Sequence, residues 1–265
     1  MPIVAFILAS TDSGPMIVNR LDVCRTEHGW FGVGASLLET GQYDRSDIDG
    51  LSGVLSLRRQ HHGDGVVALD VGANIGTHTI CWAKLMRGPG GHWGRVVAVE
   101  AQERVYYALA GNIALNNLFN AEAIHAVVGE GKGLMNIPVL DHAKPASFGS
   151  LELRKVTTEE IGQIPTSEQI ERMTTIDAII GGERCDLIKL DIEGMEPDAL
   201  RGADSTLDRC RPVLFIEWVK CGEAAVRELL EPRGYGIHML GMNLLAIHRD
   251  DPIAAHVAPR KEKAP

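Results

Sequence analysis

Hydrophobic and polar positions alternate in blocks along this chain. In "VVALDVGANIGTHTICWAKL" (66–85), Val66, Val67, Ala68 and Leu69 form an unbroken apolar run that stops at Asp70. Such a run is the mark of a strand covered on both faces. A glycine-bearing loop follows, and Ile75, Ile80, Ala83 and Leu85 then recur at the spacing of one helix face. Four more apolar runs follow: "RVVAVEA" (95–101), "AEAIHAVVG" (121–129), "CDLIKLDIEG" (185–194) and "RPVLFIEWV" (211–219). Helix-like stretches such as "QERVYYALAGNIALNN" and "MEPDALRGADSTLDRC" lie between them. The last pattern, "YGIHMLGMNLLAIHRD", splits around Gly241 to Asn243 into two strands of an antiparallel hairpin. The alternation predicts an α/β fold, with a seven-stranded, mostly parallel sheet covered on both faces. No internal repeat is present.

Two regions break the rhythm. Residues 130–173 are polar, turn-rich and too long for a simple connection, so they read as an insertion over the carboxyl edge of the sheet. Residues 1–65 are irregular, with a short strand in "MPIVAFILAS" and a helix whose N-cap is expected at Ser46. Either region can wall in a substrate. The expected division is thus an N-terminal segment 1–65, a main domain 66–250 carrying the insertion, and a tail 251–265.

Composition narrows the partners. The chain has 265 residues, 45% of them hydrophobic, which suffices for one large domain with a sizeable core. A formal net charge of −9 argues against nucleic acid as a partner. "SLRRQHH" and "APRKEKAP" are basic but short, and each is expected to be a solvated loop or tail. Cys24, Cys81, Cys185, Cys210 and Cys221 show neither a C-x-x-C pair nor zinc-like spacing, so they read as reduced structural thiols. The apolar N-terminus lacks a positive leader and meets Asp12 too early for a membrane span. A cytoplasmic protein is expected.

A strand, a tight glycine turn and a helix make a small-ligand site, because amides at a helix N-terminus face outward and glycine permits close approach. A dinucleotide fingerprint would place a second glycine where Ala73 or Asn74 stands between Gly72 and Gly76. Asp70 at the strand end suits an amino group or ordered water better than a phosphate. The next strand ends in Glu100, thirty positions on, where a carboxylate can take both hydroxyls of a ribose.

"DVGANIGTHT", "VVAVEAQERVYYALAGNIALNN", "LIKLDIEGMEPDALRGA" and "RPVLFIEW", in this order and spacing, resemble the FkbM family of S-adenosylmethionine-dependent methyltransferases over roughly residues 41–248. The resemblance implies a Rossmann-like class I methyltransferase sheet binding S-adenosylmethionine at the carboxyl edge of its first strands. It implies that Gly72, Ala73, Asn74 and Gly76, followed by Thr77, border the methionine part, that Asp70 lies near its amino group, and that Glu100 holds the ribose. It also implies an adenine pocket near Ala101, Gln102, Val128 and Gly129.

Methyl transfer to a hydroxyl requires an acceptor held in line and a group that receives its proton. In the resembled fold the fourth strand ends beside the transferred methyl, which puts Asp191 there as the group that orients or deprotonates the acceptor. Glu193 and Glu217 would line the pocket, and Lys189, two before Asp191, would bring an ammonium to the carboxylates or form a structural ion pair. Three acids can also hold a magnesium ion, although no metal site is expected. Among the histidines, His78, His125 and His142 are candidate bases, with His142 the first to test. Enzymes methylating exocyclic or amide nitrogens commonly carry Asn or Asp, two prolines and an aromatic at this strand end. "DIEG" lacks that signature, so an oxygen acceptor on a sugar, glycan or polyketide-like small molecule is expected. An NAD-dependent oxidoreductase and a non-catalytic cofactor-binding module are the alternatives.

Overall fold

A computed structural model describes residues 4–26, 29–154 and 161–257. The chain opens with an antiparallel ribbon, β1 (Phe6–Thr11) and β2 (Gly14–Asn19), and a shorter one, β3 (Cys24–Thr26) and β4 (Gly29–Phe31). Helices α1 (Val33–Thr40) and α2 (Arg45–His62) lead into β5 (Val66–Val71) and α3 (Thr77–Leu85). A minimal ribbon, β6 (Arg87–Gly88) and β7 (Gly91–His92), precedes β8 (Gly94–Glu100), α4 (Glu103–Leu115) and β9 (Ala121–His125). Next come β10 (Val127–Val128), β11 (Gly133–Val139), β12 (Ser167–Thr174) and α5 (Ile176–Ile180). The chain continues through β13 (Leu187–Leu190), α6 (Glu196–Arg201), α7 (Asp204–Cys210), β14 (Val213–Glu217) and α8 (Glu223–Leu230), then ends in β15 (Tyr235–Leu240) and β16 (Asn243–His248).

Seven strands form the central sheet in the order β15-β16-β14-β13-β5-β8-β9. Only β16 runs against the others, since it is antiparallel to both β14 and β15. All six residues of β5 are buried, as a central strand covered on both faces requires. Their side chains alternate between two cores. Val66 and Ala68 pack with α2, α3 and α4, whereas Val67, Leu69 and Val71 pack on the layer of α5, α6, α7 and α8.

Several sequence expectations change in detail. The "MPIVAFILAS" strand exists as β1, but it pairs with β2 outside the central sheet. Asn112 of α4 pins that ribbon, its side chain bonding both the N–H and the C=O of Ile17. Ser46 does not cap α2. The helix begins at Arg45 with Asp44 at the cap position in the left-handed conformation, so Ser46 is already inside the first turn. "SLRRQHH" is the last part of α2 rather than a loop, and Arg58 is buried against Asp186 and Asp251. "APRKEKAP" lies outside the described residues.

The third apolar run divides at Ala126, because its second half, β10, leaves the central sheet to pair with β12. The 130–173 segment is correspondingly more ordered than its polarity suggests. Its ends, β11 and β12, form an antiparallel ladder from Gly133↔Met173 to Val139↔Ser167, completing a three-stranded sheet with β10. Between them, residues 147–153 lie over the carboxyl edge of the central sheet. Its backbone is tied to the N-terminal segment by Asp22, whose carboxylate accepts from the N–H groups of Gly34 and Phe148.

Candidate active site

The glycine turn after β5 is fixed by its neighbours. The N–H groups of Gly72 and Ala73 both donate to the Val99 carbonyl at 3.0 Å. Gly72 has φ +76, and a Cβ there would stand 1.8 Å from the Asp191 carbonyl oxygen. Glycine is therefore demanded by the approach of two strand-end loops, a steric constraint that exists before any ligand arrives. Gly76, with φ +93, packs on Leu109 and caps α3. Asn74 takes the left-handed conformation at φ +51, and its own N–H donates to Glu100 Oε2 at 3.0 Å. The other oxygen of Glu100 accepts from Gln102 N–H at 2.8 Å. Glu100 is thus buried and oriented by two backbone donors, and burial raises its carboxyl to about 7 against the pull of those bonds.

Lys189 is the electrostatic hub of the next strand. Its buried ammonium lies 3.2 Å from Asp191 Oδ2, 3.7 Å from Asp70 Oδ1 and 3.4 Å from the Gly72 carbonyl. Burial opposes its charge, but Asp191 and Asp70 outweigh it and hold the ammonium protonated above the usual lysine range. Asp70 is fully buried and accepts from Thr79 Oγ1 at 2.6 Å. Burial raises its carboxyl despite the lysine.

Asp191, Glu193 and Glu217 offer oxygens that all lie within 4.8 Å of one another. Lys220 pairs with Glu193, and its ammonium also donates to the Ser150 carbonyl at 2.9 Å, tying the inserted segment to the acids. Burial, with Asp191 adding, pushes Glu193 to about 8 and Glu217 to about 7. Glu193 stands at φ +56, a strained backbone for a non-glycine residue.

These groups surround one cavity of ≈ 440 Å³. Of the residues the sequence proposed, Gly72, Ala73, Asn74, Thr77, Glu100, Ala101, Gln102 and Val128 line one half, and Lys189, Asp191, Glu193 and Glu217 the other. Three proposed residues do not reach it. Asp70 is turned to Thr79 and Lys189, Gly76 to Leu109, and Gly129 is occupied by the strand pairing of its N–H with the Thr174 carbonyl at 3.0 Å.

His142 and His125 also stand apart. His142 packs on Phe148 at 4.2 Å between ring centroids in a separate cleft, and His125 stacks on Tyr106. His78 does line the cavity. Burial drives its pKa well below the ordinary value, and its Nε2 has no hydrogen-bond partner among the described residues. Sequence reasoning missed Phe31, Tyr43, Asp44, Ser150 and Lys220, which close the acid half. For all but Lys220 the only signal was that the two irregular regions were free to fold over the sheet edge; Lys220 stands three positions after Glu217, just past the fifth apolar run.

A family model described as "Methyltransferase FkbM domain" matches residues 70–236. No curated protein matches the chain. Among solved structures, an FkbM methyltransferase from Methylobacillus flagellatus KT is similar at 18% identity and TM-score 0.47, over 70% of this chain and 43% of that one. The chain therefore spans less than half the length of that protein. Precorrin-6y C5,15-methyltransferase from Geobacter metallireducens GS-15 gives 14% identity and TM-score 0.44, over 79% and 89% of the two chains. A tRNA (uracil-54, C5)-methyltransferase from Pyrococcus abyssi, in complex with S-adenosyl-L-homocysteine, gives 14% identity and TM-score 0.41, over 92% and 44%. The family match covers well over half of the chain, and the sheet, its single reversed strand and the position of the cavity agree with it: the chain belongs to the FkbM methyltransferase family, whose members use S-adenosylmethionine.

Proposed function

We propose that this protein transfers a methyl group from S-adenosylmethionine to a hydroxyl oxygen of a sugar, glycan or polyketide-like small molecule. The observation that carries the proposal is a single cavity joining the backbone-oriented carboxylate of Glu100 to the acids at the ends of β13 and β14. Its ≈ 440 Å³ lies within the roughly 300–1,000 Å³ usual for small-ligand sites. The residues present fit the cofactor. Glu100 keeps lone pairs for the two ribose hydroxyls. Ala101 and Val128, with Ala126 and Val127, give an apolar slot for adenine, and the turn from Gly72 to Thr77 borders the methionine part.

The cofactor supplies an electrophilic methyl: as the acceptor oxygen bonds to that carbon, the carbon–sulfur bond breaks and its electron pair passes to sulfur. Asp191, held by Lys189, orients the acceptor hydroxyl and takes its proton. Glu217, raised to about 7, is partly ionised near neutral pH and can receive that proton, whereas Glu193, raised to about 8, already holds one there. A magnesium ion at the three acids would share Glu193 with Lys220 and Asp191 with Lys189, and the proposed step uses protein groups alone.

Other features support the surrounding picture. No helix among the described residues is long and apolar enough to cross a membrane. The cysteines are free thiols, in keeping with a reducing, cytoplasmic setting. In the same reading residues 66–250 are the methyltransferase domain, walled by 1–65 and by the insertion. Isotope-labelled methyl donor and a set of hydroxylated acceptors test the proposal, with and without a chelator. Label on oxygen, unaffected by the chelator, is expected. Label on nitrogen, or hydride exchange with a nicotinamide cofactor instead, would contradict it.

A further inference from the structure

The acid half of the cavity has a wall that the family match does not include. Phe31, Gly32, Val33, Tyr43 and Asp44 lie before residue 70 and Met242 after residue 236, yet all six line the cavity opposite Asp191 and Glu193. Two properties of this wall bear on what it receives. Phe31, Val33 and Tyr43, with Val219 and Met242 at the lip, offer apolar surface, and the last two remain 50% and 65% exposed. Exposed apolar side chains gathered at the mouth of a polar pocket are a common mark of ligand contact.

Asp44 is the second. It occupies the cap position of α2, where an aspartate normally bonds the first amides of the helix, but its side chain makes no such bond. Its backbone is left-handed at φ +48, a strained conformation shared at this cavity by Asn74 and Glu193. Strain retained at a cavity wall is a pointer to function, and the Asp44 carboxylate is left free of the helix amides it could have capped. Desolvation raises the Asp44 carboxyl to about 6, opposed by Lys189 and reinforced by Asp191, so it shares the electrostatic field of the reacting end. Tyr43 lies in the same field: burial, then Asp44 and Asp191, keep its phenol protonated well above the usual range, and it is therefore a hydrogen-bond donor.

Among the described residues the acid half presents Asp44, Asp191, Glu193 and Glu217 against Lys189 and Lys220. Those two ammonium groups are already engaged with Asp191 and Glu193. Above about pH 8, where Glu193 and Glu217 have released their protons, a phosphate, sulfate or carboxylate entering here would meet carboxylates with both of these cations already paired, and its desolvation would go uncompensated. Hydroxyl groups meet the opposite situation, since carboxylates accept from them and the Tyr43 phenol donates to them.

From this placement we infer that residues 31–44 form the acceptor subsite, that Asp44 is its specificity residue, and that the acceptor is an uncharged hydroxylated molecule with one apolar face. The inference rests on the methyltransferase reading above. Above about pH 8 it disfavours phosphorylated sugars, nucleotides and nucleic acids as acceptors, on the charge of the wall.

Matched acceptor pairs, assayed above about pH 8 where the wall is charged, test it: methyl glucoside against glucose 6-phosphate, and 4-nitrophenyl glucoside against 4-nitrophenyl glucuronide, each with labelled S-adenosylmethionine. Label is expected in neutral members and at least tenfold less in their anionic partners. Asp44→Asn should lower kcat/KM for the neutral acceptor about 10- to 100-fold, the scale of a lost hydrogen bond to a charged group, mainly through KM. It should leave the affinity for S-adenosylhomocysteine unchanged. Label favouring the anionic members, label in no neutral member, or an Asp44→Asn enzyme with wild-type acceptor KM would each overturn the inference. Failure of the wild-type protein to bind S-adenosylhomocysteine would instead bring down the methyltransferase reading beneath it.

Discussion

The two halves of the cavity are held in different ways. The Glu100 half is fixed by backbone: Gly72 and Ala73 bond Val99, Asp191 N–H bonds Val71 at 3.1 Å, and Asn74 and Gln102 N–H groups aim the Glu100 carboxylate. The acid half is assembled by side chains reaching across long stretches of sequence. Lys220 joins Glu193 to Ser150, Lys189 joins Asp191 to Asp70, and Asp22 bonds both Gly34 and Phe148. A backbone-held site tolerates few residues and stays in place when side chains change. A side-chain-held site can be retuned one residue at a time.

The largest expected effect falls on the acid half. Asp191→Asn preserves shape but removes the group that takes the hydroxyl proton, and turnover should fall about 100- to 10,000-fold, the usual range for a lost general base. Cofactor affinity should stay near that of the wild type. Steady-state rates and a separate binding titration measure the two sides, and a wild-type rate in the variant would remove Asp191 from the mechanism.

Next in size is a steric contrast between the turn after β5 and the inserted segment. Gly72→Ala places a Cβ 1.8 Å from a backbone oxygen at φ +76, so neither partner can yield cheaply. A stability loss of about 3 kcal/mol or more is expected from clash and strain together. In Gly149→Ala the new Cβ approaches only the side-chain amide of Asn74, at 2.9 Å, and that amide can rotate. The cost there should stay below about 1 kcal/mol, within the ordinary range for a single substitution. Chemical denaturation of the two variants compares them directly, and equal losses would erase the distinction.

This contrast also explains what the sequence could and could not convey. The central sheet was legible because Val66 to Leu69 and the runs near 95, 185 and 211 are continuous apolar segments, and local patterning suffices to assign them. Glu100 and Asp191 were legible as acids ending such runs, and the structure puts both on the cavity. Gly129 does not line the cavity because the third run turns away at Ala126 to join a second sheet, a switch that no periodicity encodes. Asp70 lies beneath the cavity rather than on its lining, and its strand position does not reveal that Thr79 bonds one oxygen of its carboxylate and Lys189 approaches the other. Tyr43 and Asp44 sit in an irregular stretch more than a hundred residues from Asp191, and only the folded chain brings them together.

Smaller effects separate binding from chemistry. Glu100→Ala should weaken cofactor binding by about 1–3 kcal/mol, the scale of lost hydrogen bonds to a charged group. Glu193→Gln, in the other half, should change it little. Calorimetry on the two variants decides, and an effect of Glu193→Gln as large as that of Glu100→Ala would blur the halves.

The last contrast is in pH dependence. Burial raises Glu193 from 4.5 to about 8 and Glu217 from 4.5 to about 7, so between those limits the folded state holds protons that the unfolded state has released. Their contribution is fully present below about pH 4.5 and is lost as pH rises through the folded values. Glu193→Gln should flatten the fall in stability between about pH 5 and pH 8, as read from urea midpoints. A slope unchanged by the substitution would mean that Lys220 keeps Glu193 ionised throughout.

Titration of the wild-type protein with S-adenosylhomocysteine by calorimetry, with NADH in a parallel cell, tests the central claim most directly. The account predicts saturable binding of one S-adenosylhomocysteine per chain, a rise in thermal midpoint at saturation, and no heat with NADH. Binding of NADH, or neither heat nor a thermal shift with saturating S-adenosylhomocysteine, would contradict it.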